Sequence, residues 1–123
     1  MGPIRLLTVI AVLALTAGGV SAQLFAPESL ERWFRIETHV EHRAQGAVVW
    51  GYVYNNTNLH AEKMTVQVDA LDAAGAVTGS TTTWVPGLVP ATYRAYFETR
   101  APAGTQYRVR VLSFDWTGRG SGN

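Results

Sequence analysis

From residue 34 to residue 116 the chain is a succession of short runs in which apolar and polar residues alternate, each closed by Gly, Pro, Asn or Asp. Period two marks strands with one buried face, because successive strand side chains point to opposite sides. Phe34, Ile36, Thr38 and Val40 alternate with Arg35, Glu37, His39 and Glu41. Ala44-Gln45-Gly46 turns the chain into residues 47–57, almost wholly apolar or aromatic and closed by Asn55-Asn56-Thr57-Asn58. Met64, Val66, Val68 and Ala70 mark a third strand, which Asp72-Ala73-Ala74-Gly75 reverses into the β-branched run 76–85. Pro86-Gly87-Leu88-Val89-Pro90 is a corner, since two prolines there cannot donate to a ladder. Residues 91–99 and 106–116 are two more strands around the turn 101–104, with Tyr107, Val109 and Val111 inward and Arg108 and Arg110 outward. Within the fourth strand, Gly79→Ala is expected to be neutral or stabilising.

A parallel sheet needs a crossover of about a dozen residues, usually helical, between strands, and no run here supplies one. The expected fold is therefore all-β: an antiparallel immunoglobulin-like β-sandwich of about 6–7 strands over residues 33–117, with a small closed barrel as the alternative. In the preceding segment 23–32 and just beyond it, Leu30, Trp33 and Phe34 have the spacing of a short helix. Residues 118–123 read as a polar, Gly-rich tail.

The first 22 residues read as an address. Arg5 precedes the uncharged run Leu6–Ala17, and small residues at Val20 and Ala22 fit a signal-peptidase site, so cleavage is expected between Ala22 and Gln23. Twelve apolar residues span about 18 Å as a helix, short of a bilayer core of about 30 Å. The expectation is an exported chain, periplasmic or secreted, with no integral membrane segment once cleaved. The absence of cysteine excludes disulfide frameworks, thiol catalysis and thiolate metal sites. Nine basic and nine acidic residues remain after Ala22, a balance that argues against nucleic acid as a partner.

Few residues carry recognisable chemistry. His39 and His42 form an HxxH pair, yet positions three apart on a strand diverge, and Glu37, His39 and Glu41 stand about 7 Å apart per step. His60 and Glu62 could add ligands from elsewhere, but the expectation is no metal and no cofactor. No serine sits in a nucleophile elbow, and Ser80 lies inside a predicted strand, so no catalytic residue is expected. The second strand sorts Val48, Trp50, Tyr52 and Tyr54 onto one face and Val49, Gly51 and Val53 onto the other. By pattern alone the aromatic face would be core.

The run Val49-Trp50-Gly51-Tyr52-Val53-Tyr54-Asn55 resembles the V-x-G-x-V-x-N opening of the FxLYD domain family. Residues 66–75 resemble its V-x-V-x-L-Y-D-x-x-G segment, with Ala70-Leu71 in place of Leu-Tyr, and Leu88-Val89-Pro90 followed by Phe97 is similar to its corner, with Ala91-Thr92 in place of Gly-Glu. The resemblance implies a bacterial extracytoplasmic immunoglobulin-like sandwich without catalytic or cofactor residues. It assigns Gly51, Asn55, Asp72 and Gly75 to structure: a close backbone approach, two turns and a positive φ. It also turns Val49, Gly51, Val53 and Asn55 inward, which leaves Trp50, Tyr52 and Tyr54 as an outward stripe. Tyr96, Arg108, Arg110 and Phe114 share that outward parity, and aromatics interleaved with Arg are the composition of binding hot spots. Such a stripe needs cover, from residues 24–33 or from a partner. The expected function is a noncatalytic interaction or structural module of the cell envelope with a protein partner; the alternative is a binder of a small ligand, a carbohydrate or a metal.

Overall fold

The computed structural model describes residues 25–119; the expected leader and cleavage site lie outside them. One short helix, α1 (Pro27–Trp33), precedes six strands: β1 (Phe34–Arg43), β2 (Gly46–Asn55), β3 (Leu59–Leu71), β4 (Val77–Trp84), β5 (Arg94–Ala101) and β6 (Gln106–Arg119). They form two antiparallel sheets, β1-β2-β5 and β4-β3-β6. The hairpins β1–β2 and β3–β4 stay within a sheet, whereas the connections β2–β3, β4–β5 and β5–β6 pass between sheets. This is the Greek-key arrangement of an immunoglobulin-like sandwich.

Alternation builds the core. Val49 and Val53 of β2 and Phe97 of β5 face Val66 and Val68 of β3 and Val111 and Phe114 of β6, with Met64 and Val89 at one end. Each such side chain contributes roughly 1.5–3 kcal/mol when fully buried. The expected boundaries move where pairing extends past the apolar pattern. β3 begins at Leu59, paired with Arg119, so β6 runs on through Gly118 into what reads as a tail. β5 begins at Arg94 and not at residue 91, because the Pro90–Tyr93 corner is closed by its own hydrogen bonds. Of the β1 residues read as inward, Phe34 is buried and Ile36 half-buried; Thr38 and Val40 are exposed, although paired with β2.

Parity also breaks inside β6. Its ladder with β3 shifts register three times, once between Thr65 and Val66 where Leu112 is left over on β6. That bulge rotates the rest of the strand by one position. Phe114, read as outward from simple alternation, is consequently buried. It anchors an aromatic cluster: Phe25 stacks on Phe114 at 4.9 Å, Phe34 and Trp116 meet it edge-on at 4.9 and 4.6 Å, and Trp33 meets Trp116 at 5.4 Å. The seven-residue α1 has no side-chain N-cap, with Pro27 in its first turn, and it holds by inserting Leu30 into the core beside this cluster.

Three turn residues sit in defined geometry. Asp72 Oδ1 accepts the amides of Ala74 and Ala76, each at 2.9 Å, and Gly75 takes φ +89°. Asn55 is buried; its Nδ2 donates to the carbonyls of Leu59 and Val89, and its Oδ1 accepts from Thr57 N and Oγ1. One side chain thus ties the β2–β3 loop to the β4–β5 corner. At Gly79 a Cβ would meet Pro102 Cγ at 3.0 Å and Cβ at 3.1 Å, so the outcome of Gly79→Ala turns on whether the Pro102 ring in the β5–β6 loop can give.

Candidate functional site

The outer face of the β1-β2-β5 sheet is a grid set by register. Arg35, Tyr54 and Arg94 lie abreast; so do Glu37, Tyr52 and Tyr96, then His39, Trp50 and Glu98, then Glu41, Val48 and Arg100. The inward positions of β2 are filled by Val49, Gly51, Val53 and Asn55, all buried. Trp50, Tyr52 and Tyr54 therefore stand on the outer face, each half-buried, and Tyr96 beside them is 43% exposed.

Among the described residues their cover comes neither from α1 nor from Phe25 before it, which pack on the side of the sandwich against β1 and β6. It comes from polar side chains of the same face. His39 stacks on Trp50 with ring centroids 4.3 Å apart. The Arg94 guanidinium lies 4.1 Å from the Tyr52 ring, and that of Arg35 lies 4.0 Å from Tyr54. Cation–π contact and hydrophobic cover are here supplied by the same groups.

Hydrogen bonds lock the frame. The Tyr54 hydroxyl donates to Glu37 Oε1 at 2.8 Å and accepts from Arg94 Nη1 at 3.2 Å. Glu37 Oε2 lies 2.7 Å from His39 Nε2. The His39 and Tyr54 hydrogen bonds together hold the Glu37 carboxyl below its usual range. The Tyr96 hydroxyl donates to Glu98 at 2.6 Å, which raises its pKa because that bond favours the protonated phenol. Chemically the face offers a basic row, an acidic middle and rings whose polar ends are already oriented. One side of three of those rings is taken, which counts against stacking of sugar rings there.

Arg108 and Arg110 do not join this face. They project from the opposite side of the sandwich, on the β4-β3-β6 sheet, abreast of Asp69 and Gln67. Parity placed them outward; only sheet membership separates them from the aromatic stripe. Asp69 is buried beneath its neighbours and accepts from Ser80 Oγ at 2.6 Å, Gln67 Nε2 at 2.9 Å and Arg108 Nη2 at 3.0 Å. Burial pushes its carboxyl up, but these donors outweigh it and the net shift is downward.

The histidines lie apart. His39 is on the outer face with Trp50, while the His42 ring is 6.0 Å from Tyr107 and His60 Nδ1 accepts the Ala91 amide at 3.1 Å. Among the described residues no three His, Asp or Glu side chains converge as a metal site would require. No helix among them is long and apolar enough to cross a membrane. What sequence reading missed is the charged frame of Arg35, Glu37, His39, Arg94 and Glu98 around the rings. Their parity was visible, but their adjacency depends on β2 lying between β1 and β5.

Comparison with protein-family models, curated proteins and solved structures finds no match.

Proposed function

We propose that this chain is a noncatalytic interaction module of the bacterial cell envelope, exported by its N-terminal leader, and that the outer face of the β1-β2-β5 sheet is its partner surface. The observation that carries this reading is the grid around Trp50, Tyr52, Tyr54 and Tyr96, framed by Arg35, Arg94, Glu37 and Glu98. Tyr, Trp and Arg are enriched in binding hot spots, and here they are held in place before any partner arrives, which lowers the entropy cost of association. The resemblance of residues 49–55, 66–75 and 88–97 to the FxLYD family supports the extracytoplasmic assignment.

A protein partner fits better than a carbohydrate, because His39, Arg94 and Arg35 already occupy ring faces that a sugar would need. Charged groups of both signs in fixed rows favour a surface with complementary rows. The test is capture from envelope extract with the purified protein and with the double variant Tyr52→Ser, Tyr96→Ser. The expected result is loss of a specific captured protein while the thermal midpoint stays close to wild type. Capture unchanged by the double variant would overturn the reading, and so would saturable binding of an oligosaccharide abolished by it.

A further inference from the structure

We infer that the free edge of β6 is a docking site for an added strand: an extended segment of a partner protein in which apolar residues alternate with acidic ones. β6 is the outermost strand of its sheet, paired only with β3 among the described residues. Over Arg108–Leu112 its free side borders a groove of about 630 Å³, lined also by Phe25, Pro27, Leu30, Phe34 and Ile36, with Glu31 as its one acidic residue among those described. Unpaired backbone amides and carbonyls beside an apolar groove are the two requirements for recognition by strand addition: the ladder supplies affinity, and alternate side chains supply specificity.

The alternation of β6 defines the occupant. Val109 and Val111 point inward, so every second residue of an added strand would enter the groove and must be apolar. Arg108 and Arg110 point outward, so the intervening residues would stand beside two guanidiniums. Arg108 is partly engaged by Asp69, whereas Arg110 is exposed, acts on Asp69 only through its charge and makes no side-chain hydrogen bond among the described residues, which leaves its N–H donors for an acidic neighbour. Cross-strand pairs of opposite charge stabilise, and like charges opposite one another destabilise.

The same charges weigh against two other occupants. β6 of a second copy, laid antiparallel on this edge, would bring the Arg108 and Arg110 pairs of both copies together. Residues 1–24 contain no acidic residue to stand beside Arg108 and Arg110. The inference uses none of the residues of the partner face proposed above, so either can fail alone.

The probe is a synthetic peptide alternating Val and Glu, long enough to span Arg108–Leu112, with a scrambled peptide of the same composition as control. The full chain is titrated with each while backbone hydrogen exchange is followed by NMR. The expected result is saturable binding of the alternating peptide and new protection confined to the amides of residues 108–112. Arg110→Glu should weaken that peptide roughly tenfold and admit a Val–Lys peptide instead. Equal binding of the scrambled peptide would overturn the inference, as would protection elsewhere. So would protection of these amides without peptide, whether in a concentration-dependent dimer or only when residues 1–24 are present.

Discussion

The guanidinium of Arg94 lies 4.1 Å from the centre of the Tyr52 ring and also donates a hydrogen bond to the Tyr54 hydroxyl. Arg94 thus covers one aromatic side chain and orients the next. This explains how a strand can carry Trp50, Tyr52 and Tyr54 on its outer face without a bare apolar stripe. The first prediction concerns that cover. Arg94→Gln should raise the rate at which Tyr52 and Tyr54 react with a phenol-acylating reagent, read by mass spectrometry of peptides. Tyr96, whose hydroxyl is held by Glu98 and not by Arg94, should react at an unchanged rate. No change at Tyr52 and Tyr54 would mean the guanidinium does not shield them in solution.

The second prediction concerns Asp69. Its folded pKa lies below the ordinary 3.8, held down by hydrogen bonds from Ser80, Gln67 and Arg108 against the upward push of burial. A depressed folded pKa stabilises the native state above the unfolded value, and that contribution is lost as pH falls through the folded value. Asp69→Asn should therefore cost about 1–3 kcal/mol at neutral pH, because charge-assisted acceptors are lost while the volume stays the same. The deficit relative to wild type should shrink as pH drops below about 4. Urea titrations of both proteins across that range decide it; a deficit independent of pH would show that the charge is irrelevant.

The third prediction separates two glycines by mechanism. At Gly51 a Cβ would overlap the Glu37 carbonyl of the neighbouring strand, so Gly51→Ala must push β1 away from β2. At Gly75 nothing lies within 4 Å of a Cβ, and the only penalty is φ +89°. Gly75→Ala should cost about 1 kcal/mol in an otherwise intact protein. Gly51→Ala should cost more than about 3 kcal/mol and lower the protection of β1 amides. Equal costs, measured by chemical denaturation, would show that the β1–β2 approach can relax.

Much of this architecture is readable without coordinates because local chemistry and period agree. Asp72 and Gly75 mark their hairpin by residue type, and Val49, Gly51 and Val53 are inward by alternation. The misplacements have a common physical origin in non-local pairing. Alternation alone turns Phe114 outward, because a one-residue bulge at Leu112 leaves no trace in residue type. Parity groups Arg108 and Arg110 with Trp50 because it tells inside from outside but not one outer face from the other. The Arg94–Tyr52 contact joins strands some forty residues apart and requires knowing that β5, not β3, lies beside β2. The close seat of Gly79 is not legible in its own strand, because Pro102, which packs on it, arrives from a loop distant in sequence.

The last prediction concerns Asn55, whose polar atoms are all satisfied although the residue is buried. Its Nδ2 donates at 2.8 Å to the Leu59 carbonyl and at 3.0 Å to the Val89 carbonyl, while Oδ1 accepts from Thr57. Asn55→Asp is nearly isosteric but replaces the two-proton donor by an oxygen facing two carbonyl oxygens. Ionised, that carboxylate is buried against acceptors; protonated, it can still donate one hydrogen bond. Both effects raise its folded pKa above the unfolded value of about 3.9. A raised folded pKa in an acid means that stability is lost as pH climbs from the unfolded towards the folded value. Asn55→Asp should therefore be much less stable than wild type at pH 7, with the gap narrowing as pH falls towards about 4. Asn55→Ala removes the hydrogen bonds to both loops and leaves the half-buried Thr57 amide without a partner, although Val89 O still accepts from Ala61 N and Leu59 O from Thr57 Oγ1; it should cost about 1–3 kcal/mol, with a gap that does not depend on pH. Referencing each variant to wild type at the same pH removes the acid sensitivity that Asp69 gives to all three proteins. If the Asn55→Asp gap were flat across this range, the side chain would be reaching water, and Asn55 would not be the staple between the β2–β3 loop and the corner at Val89.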